Sequence, residues 1–314
     1  MTPAQKTLTR RGFLASSALM LGTAVHGAVT DPPEEVIDIH QHTNYAGRSD
    51  EDLIRHQRGM GITKTVLLPS GREVQRRSTH FGRSNGLAAR CGGCESVASL
   101  AAARPDEFIC GANDVPDLPD SVQELEKWLK RGARIIAEQK FSLPSDSPEI
   151  QKFAKVAREY QVPILLHFQV GEYNLGFENF WRILEAFPTV NFIGHAQTWW
   201  SCVDEYWDGE SLYPKGPVVP GGLTDRYLIN YPNMYGDLSA GSGLNFLQRD
   251  EAHARWFLQR HQDRLLFGSD CDDRDGGGPQ CQGAQTLATL RRFLPQGGAR
   301  RKILSGNARR LLKL

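Results

Sequence analysis

Short apolar runs alternate with longer amphipathic segments along this chain, from Val36 to the carboxyl terminus. Eight runs are typical of buried strands: Val36–His40, Thr65–Leu68, Phe108–Ala112, Arg134–Lys140, Ile164–Phe168, Asn191–His195, Met234–Leu238 and Leu265–Asp270. Between them lie segments with helical periodicity: Asp50–Met60, Leu87–Arg104, Ser121–Arg131, Pro148–Tyr160, Phe177–Phe187 and Asn245–His261. Such alternation builds a parallel sheet from strand–helix–strand units, and eight units close a barrel. We therefore predict an α/β protein with a (β/α)8 TIM-barrel fold.

The size and charge of the chain limit its organisation and its partners. Its 314 residues suit one barrel, and no internal repeat or linker divides them, so we expect residues 35–314 to form a single domain. The formal net charge is +1 and the charges are mixed, which argues against a nucleic-acid partner and leaves a small molecule. Two long connections fall on the catalytic side of such a barrel: residues 70–85, which are polar and rich in Arg, Ser and Gly, and residues 197–224, which are rich in Trp, Pro and Gly.

The first 28 residues are predicted to be an export signal rather than part of the fold. Arg10 and Arg11 precede a short apolar stretch, Phe13–Val25, and this pattern resembles a twin-arginine signal peptide. The stretch is too short for a stable membrane span. The twin-arginine export machinery would then be a partner, and the mature protein would be periplasmic. The alternative is an unstructured basic tail.

The cysteines carry little information by themselves. Cys91 and Cys94 form a lone C-x-x-C pair without a second pair at zinc-site spacing. They could form a disulfide in an oxidising compartment or could simply be helix residues. Cys110 lies in an apolar run and is expected to pack in the core.

The first predicted strand ends in two histidines that are one residue apart, His40 and His42. Successive strand side chains point to opposite faces, so these two imidazoles point the same way and could bind one metal ion together. At the carboxyl end of a barrel strand they would lie in the active-site face. A solvent-facing His-x-His pair is the alternative.

Other predicted strands also end in polar side chains. His167 ends the fifth strand, His195 the sixth and Asp270 the eighth, while Glu138 and Lys140 lie at the end of the fourth. A single histidine in such a place is often structural, but a barrel brings all these strand ends to one face. Several imidazoles and a carboxylate around one point are what zinc or a similar divalent ion requires.

At these residues the chain resembles the amidohydrolase superfamily, in particular its amidohydrolase-related branch of metal-dependent hydrolases and decarboxylases. The resemblance runs from about Val36 to Leu314. It rests on Asp38-Ile39-His40-Gln41-His42, on the strand ends at His167 and His195, on Gly268-Ser269-Asp270, on Asn85-Gly86-Leu87-Ala88 leading to Arg104-Pro105-Asp106-Glu107-Phe108, and on the closing segment 302–312.

The resemblance implies roles for these residues. His40, His42, His167 and Asp270 would bind one divalent metal ion, with zinc preferred, manganese or another ion as the alternative, and a second ion left open. His195 would shuttle a proton or polarise the substrate. Asp270 would act as the general base toward a metal-activated water.

The role of the fourth strand is open. Some members of the superfamily use a lysine or a glutamate there to bridge two metals. We expect one metal here, with Lys140 and Glu138 contacting the substrate or supporting the ligands. A lysine that merely ends the strand is an equal alternative for Lys140.

Further residues have two interpretations each. Trp199, with its neighbour Trp200, could line the substrate pocket or pack in the core, and Arg274 could face the pocket or lie in an exposed loop. Four remaining histidines lie in helical or loop patterns and are expected at the surface: His56, His80, His253 and His261.

Three functions are compatible with this pattern. The leading hypothesis is a metal-dependent hydrolase of a small-molecule ester, lactone or amide-like bond. The second is a zinc-dependent lyase that decarboxylates or hydrates a small carboxylic acid. The third is a non-catalytic binding relative that keeps the barrel. The substrate, and whether the chain forms a homo-oligomer, are left open.

Overall fold

The computed structural model describes residues 34–79 and 91–314. The predicted signal peptide, His80 and the segment Asn85–Ala88 lie outside the described residues. Within the described ranges, Glu34–Leu314 form one compact unit. No helix in those ranges is both long and apolar enough to cross a lipid bilayer.

Eight parallel strands in chain order form the centre of the described structure. They are β1 Ile37–Gln41, β2 Lys64–Leu67, β3 Phe108–Cys110, β4 Ile136–Gln139, β5 Ile164–His167, β6 Phe192–His195, β7 Met234–Asp237 and β8 Leu265–Leu266. Each predicted strand is present, and six are shorter than predicted because the regular ladder hydrogen bonds span only part of each run. The strand pairs are β1-β2-β3 and β4-β5-β6-β7-β8.

Backbone hydrogen bonds close these two sheets into one barrel. Between β3 and β4, the N–H of Ala112 donates to the carbonyl of Ile135 at 2.8 Å, and the N–H of Ala137 donates to Ala112 at 2.9 Å. Between β8 and β1, the N–H of Ile39 donates to Phe267 at 3.1 Å. The predicted (β/α)8 barrel is therefore the observed fold, and all strands end at the same face.

Helices connect the strands. They are α1 Asp50–Met60, α2 Cys94–Ala103, α3 Ser121–Lys130, α4 Pro148–Tyr160, α5 Trp181–Ala186, α6 Gln197–Ser201, α7 Leu223–Asn230, α8 Ala240–Arg249, α9 Glu251–Arg260, α10 Gln282–Phe293, α11 Gly298–Arg301 and α12 Asn307–Leu312. A π turn, Lys302–Gly306, joins the last two. Local capping sets several starts: Ser147 accepts a hydrogen bond from the N–H of Ile150, and Pro148 occupies the first turn of α4.

Two predicted helices are broken in the structure. The segment Phe177–Phe187 is a 3-10 turn, Phe177–Asn179, followed by α5. The segment Asn245–His261 is interrupted at Asp250, whose backbone is extended and whose side chain accepts a hydrogen bond from His253 N–H to cap α9. Apolar periodicity continues through both breaks, so periodicity alone does not reveal them.

The barrel has an apolar interior below its polar rim. Leu165, Ile193 and Tyr235 belong to one buried cluster, and each lies two residues before a polar residue at the end of its strand. The same strand faces therefore supply both the interior packing and the polar groups at the mouth. A larger cluster joins strands and helices through aromatic side chains, including Phe153, Phe180, Phe246 and Phe257.

The expectation that the remaining histidines are exposed is wrong for three of them. His56, His253 and His261 are 0%, 7% and 4% exposed. His56 and His253 lie on the buried faces of α1 and α9, and His261 directly follows α9, with its Nε2 paired with Asp225 Oδ1 at 2.5 Å. Their burial depends on contacts with residues that are distant in sequence, and a helical pattern does not reveal such contacts.

Candidate metal centre

Four histidines from three strands meet at the carboxyl-terminal face of the barrel. His40 lies in β1 and His42 just after it, and β5 and β6 end in His167 and His195, which are directly paired in the sheet register. All four are at most 5% exposed. The ring centroids of His40 lie 5.1 Å from His42 and 4.5 Å from His195. The strand ends thus converge as the barrel prediction required.

Buried hydrogen bonds orient three of these imidazoles. His40 Nδ1 lies 2.7 Å from Asp237 Oδ2, and His42 Nδ1 lies 2.7 Å from the carbonyl oxygen of Leu68. His195 Nδ1 lies 3.1 Å from Asp237 Oδ2. These contacts leave Nε2 of each ring directed to the shared space, where Nε2 of His40 and His42 are 3.2 Å apart. Fixing one ring nitrogen so that the other faces a common point is typical of metal-binding histidines.

The carboxylate of Asp270 faces the same space. Its Oδ1 lies 3.5 Å from His42 Nε2, and its Oδ2 lies 3.6 Å from His195 Nε2. The backbone of Asp270 has φ 42°, in the left-handed region, and its N–H donates to the carbonyl of His40 at 2.9 Å. A strained conformation held by the barrel closure is a feature often found at functional sites.

Glu138 lies among the histidines rather than at the edge of the site. It is 1% exposed. Its Oε2 is 3.7 Å from Nε2 of both His40 and His42, while its Oε1 is 2.6 Å from His167 Nδ1. Oε1 also lies 3.8 Å from His195 Nε2. One carboxylate oxygen therefore faces each pair of histidines, whereas the sequence suggested only a substrate contact or a support for the ligands.

These donors fit a divalent metal ion. Ligand atoms of His40, His42 and Asp270 lie within 4.8 Å of one another, and so do those of His40, Glu138 and His195. His195 Nε2 and Asp270 Oδ1 are buried and have no hydrogen-bond partner among the described residues. Imidazole nitrogens and carboxylate oxygens suit zinc or manganese. His167 differs from the other three, since its Nε2 lies 3.1 Å from the side-chain oxygen of Gln169.

The ionisable groups of the centre strongly shift one another's pKa values. Burial disfavours ionisation of Asp270 and Glu138, but the neighbouring histidines outweigh it and hold the pKa of both carboxyl groups well below the usual value. Asp237 is lowered in the same way, to a pKa of about 2. Burial likewise opposes protonation of His42, yet Cys91 and Asp270 raise its pKa to about 10. The negative charges of these three buried carboxylates must therefore be balanced by protons or by a metal ion.

Lys140 follows β4 and supplies a positive charge beside the centre. Its Nζ lies 5.3 Å from the ring centroid of Tyr173, whose ring packs edge-on against His167 at 5.4 Å. Burial and the charge of Lys140 together lower the pKa of His167 to about 4. The lysine is half-buried and therefore lies where it could meet an anionic substrate.

Two predicted site residues lie elsewhere. Trp199 is fully buried and packs against the back of β6, so closely that a Cβ at Gly194 would be 2.3 Å from its ring. Core packing is thus the interpretation that the structure supports. Arg274 has a 62% exposed side chain, and its Nη1 lies 3.4 Å from Asp52 Oδ2. It belongs to the exposed loop after β8.

Several residues of the centre were not singled out in the sequence. Asp237 ends β7 in the same way that Asp270 follows β8. This shared pattern could have identified Asp237 from the sequence. Tyr45 contacts Asp270, and burial together with the charge of Asp270 raises the pKa of the tyrosine well above its usual value, so its hydroxyl stays protonated. Cys91 contacts His42. Nothing in the local sequence marks Tyr45, and the C-x-x-C spacing of Cys91 does not point to this centre.

A cavity of about 430 Å³ lies beside the centre. The loop after β5 and the segments around α6 and α7 line it, with Gln169, Asn174, Phe177, Thr198, Trp207 and Leu223 among the lining residues. Gln169 also contacts His167, which links the cavity to the histidines. Its volume lies in the usual range for small-molecule pockets.

No protein-family model matches the sequence, and no curated protein does. Solved structures do match. An uncharacterised TIM-barrel protein from Bordetella bronchiseptica is 19% identical, with 89% of this chain and 98% of that chain covered and a TM-score of 0.57. The 2,6-dihydroxybenzoate decarboxylase from Rhizobium is 15% identical, with 89% and 99% covered and a TM-score of 0.55.

A third match is a probable 2-pyrone-4,6-dicarboxylic acid hydrolase from Acinetobacter baumannii with citric acid bound. It is 13% identical, with 89% of this chain and 100% of that chain covered and a TM-score of 0.55. At such identities the likeness concerns the fold. The chain therefore shares its fold with these proteins, and that fold is the (β/α)8 barrel predicted from its sequence.

Proposed function

We propose that this chain is a metal-dependent hydrolase that cleaves an ester, lactone or amide-like bond in a small molecule. The observation that carries the proposal is the position of Asp270, whose carboxylate lies 3.5 Å from His42 Nε2 and 3.6 Å from His195 Nε2. His40, His42, Glu138 and Asp270 would hold the ion, and His167, whose ring nitrogens face Glu138 and Gln169, would orient Glu138 rather than bind the ion as the sequence predicted. A divalent ion bound there supplies Lewis acidity and lowers the pKa of a bound water toward neutrality.

The residues around this point have complementary proton-transfer roles. Asp270 is ionised at neutral pH because its histidine neighbours hold its pKa well below the usual value despite burial. It can therefore accept the proton of the attacking water and return it to the leaving group. His195, held through Nδ1 by Asp237, directs Nε2 at the reacting bond and can stabilise the developing negative charge.

A lyase acting on a small carboxylic acid is the second candidate. The observation that favours it is Lys140, a half-buried cation next to His167 that could bind a substrate carboxylate. Proteins of the same fold include both a 2,6-dihydroxybenzoate decarboxylase and a 5-carboxyvanillate decarboxylase. The barrel therefore supports either reaction, and the products must distinguish them.

The first experiment is Asp270→Asn, assayed against a panel of esters, lactones and small carboxylic acids. We expect turnover to fall by at least about a hundredfold, because the proton acceptor is lost. Asp272→Asn, at an exposed position two residues later, is the matched control and should keep its activity. Unchanged hydrolysis by Asp270→Asn would contradict the mechanism. Carbon dioxide release without hydrolysis would select the lyase.

Lys140→Met tests the anionic substrate. For a substrate with a carboxylate we expect KM to rise about tenfold or more, while a neutral ester of the same skeleton is turned over as before. Equal effects on both substrates would assign Lys140 a structural role.

The dependence of turnover on a metal ion separates both enzymes from a non-catalytic relative. We expect purified protein to hold stoichiometric zinc or manganese, and chelation to abolish turnover until the metal is returned. Protein that carries no divalent ion and gains no activity with one would be a binding relative.

We also propose that residues 1–28 direct export through the twin-arginine machinery to the periplasm. The paired Arg10 and Arg11 before the apolar stretch support this proposal. Replacing both arginines by lysine should retain the protein in the cytoplasm. Fractionation of cells that express the full chain measures this directly.

A further inference from the structure

A second cluster of metal-ligating side chains lies behind the active-site loop. His56 and Met60 come from α1, Cys271 directly follows Asp270, and Cys281 precedes α10. All four side chains are buried, with exposures of 0%, 6%, 3% and 0% in that order. The proposed hydrolysis uses none of them.

The ligand atoms have the spacing of a tetrahedral site. Zn–S and Zn–N bonds of about 2.3 and 2.0–2.1 Å at tetrahedral angles place two sulfurs about 3.8 Å apart and a sulfur and a nitrogen about 3.6 Å apart. In the structure Cys271 Sγ and Cys281 Sγ are 3.7 Å apart, and Cys281 Sγ is 3.4 Å from His56 Nε2. These three ligand atoms all lie within 4.8 Å of one another.

A further sulfur lies next to the cluster. Met60 Sδ lies 3.9 Å from Cys281 Sγ. The side-chain amide of Gln57 lies 3.2 Å from Nδ1 of His56 and fixes the ring so that Nε2 faces the sulfurs. The N–H of Ala284, in the first turn of α10, donates to Cys281 Sγ at 3.3 Å and favours a thiolate there.

We propose that His56, Cys271 and Cys281 form a structural zinc site, with the Met60 thioether beside it. Two thiols lose their protons to solvent when the ion binds, so that two thiolates and Zn²⁺ form a neutral group, which a buried position favours. Such sulfur-rich donors prefer a soft ion to the harder ions that carboxylates suit. The site is separate from the histidine–carboxylate centre and does not depend on the reaction catalysed there.

A zinc ion at this site would hold in place the loop that carries Asp270. The loop packs on α1 so tightly that a Cβ at Gly276 would lie 2.0 Å from the carbonyl oxygen of His56. The carbonyl of Cys271 accepts hydrogen bonds from Arg48 Nη1 and Gln41 Nε2, both at 2.8 Å. Zinc at the cluster would add a bond between α1 and both ends of the segment from Cys271 to Cys281, and thereby position Asp270.

The test counts zinc in the full chain after reconstitution and dialysis. We expect Cys281→Ser to bind one zinc fewer per chain than the wild type, and Cys110→Ser, at a half-buried position on β3, to bind as many as the wild type. Cys91→Ser is reserved for the spectroscopic measurement, because a thiol in contact with His42 could itself contribute a thiolate–metal band. Equal zinc content in Cys281→Ser and the wild type would overturn the proposal.

A spectroscopic measurement on folded protein avoids reliance on one variant. Cobalt or cadmium in place of zinc should give a thiolate-to-metal charge-transfer band in the wild type and in Cys91→Ser, but none in Cys281→Ser. The band should persist in His42→Ala, so the result is independent of the proposed hydrolase centre. Absence of the band from the wild type, or a Cys271–Cys281 disulfide found by peptide mapping of metal-loaded protein, would overturn the site.

Discussion

Asp237 Oδ2 accepts a hydrogen bond from Nδ1 of His40 at 2.7 Å, and the same oxygen lies 3.1 Å from Nδ1 of His195. A single carboxylate at the end of β7 thus orients imidazoles from β1 and β6. Strand β7 lies next to β6 and is separated from β1 by β8. The geometry of the centre therefore depends on the closure of the barrel.

Asp237→Asn should weaken metal binding at this centre about 10–100-fold, as is usual when the partner of a metal-binding histidine is altered. The amide keeps the shape of the side chain but removes the negative charge shared by two rings. Asp263→Asn, at an exposed residue paired with Lys302, is the control. Metal competition with a chromogenic chelator, in a Cys281→Ser background that lacks the second zinc site, measures the change, and equal affinities would contradict the role of Asp237.

Glu138→Gln should lower metal affinity at the histidine–carboxylate centre at least about tenfold, because each oxygen of Glu138 faces one pair of histidines. Glu159→Gln, at an exposed position on α4, should bind metal as the wild type does. The prediction is measured in a Cys281→Ser background, which lacks the second zinc site, as metal retained after dialysis against a weak chelator. Full retention by Glu138→Gln would restrict this residue to contacting the substrate.

Metal binding at this centre should release protons near neutral pH. Burial opposes protonation of His40 and His42, but neighbouring negative charges outweigh it and raise both pKa values, that of His42 to about 10. The metal-free rings therefore carry protons at pH 7 that the ion must displace, so apparent affinity rises with pH. Calorimetry of Cys281→Ser in buffers of different ionisation enthalpy should give buffer-dependent heats. Identical heats would refute the prediction.

His253 should make the fold less stable in mild acid. Burial lowers its pKa below the usual 6.5, and both ring nitrogens lack a hydrogen-bond partner among the described residues. The unfolded chain then binds the proton more readily, so stability is complete above about pH 6.5 and falls as the pH drops toward the lowered value. His253→Gln should reduce that slope, by at most about 1.4 kcal/mol per pH unit. Urea unfolding at pH 7 and pH 5 measures it, and parallel changes in both proteins would contradict it.

Gly194→Ala should destabilise the barrel by about 1–3 kcal/mol, since its Cβ would lie 2.3 Å from the ring of Trp199. Adding Trp199→Leu should relieve the clash, so that the double variant loses less stability than the two single changes together. Gly277→Ala, where the Cβ meets nothing within 4 Å, is the control. Thermal unfolding measures all four proteins, and strict additivity would rule out the contact.

Much of the centre could be predicted because the positions of its residues follow from short sequence patterns. The spacing of His40 and His42 places both on one strand face, and apolar runs that end in His167, His195 or before Asp270 place these residues at strand ends. Alternation of strands and helices then brings those ends together. These inferences need only the periodicities of strand and helix.

The sequence by itself determined the barrel, the shared face of His40 and His42, and the convergence of His167, His195 and Asp270. Only the tertiary structure decided that Glu138 lies among the histidines, that Trp199 packs behind β6 and that His56 meets Cys271 and Cys281. The physical reason is that backbone periodicity sets the direction of a side chain. Its neighbours depend on how the closed barrel packs elements that are distant in sequence.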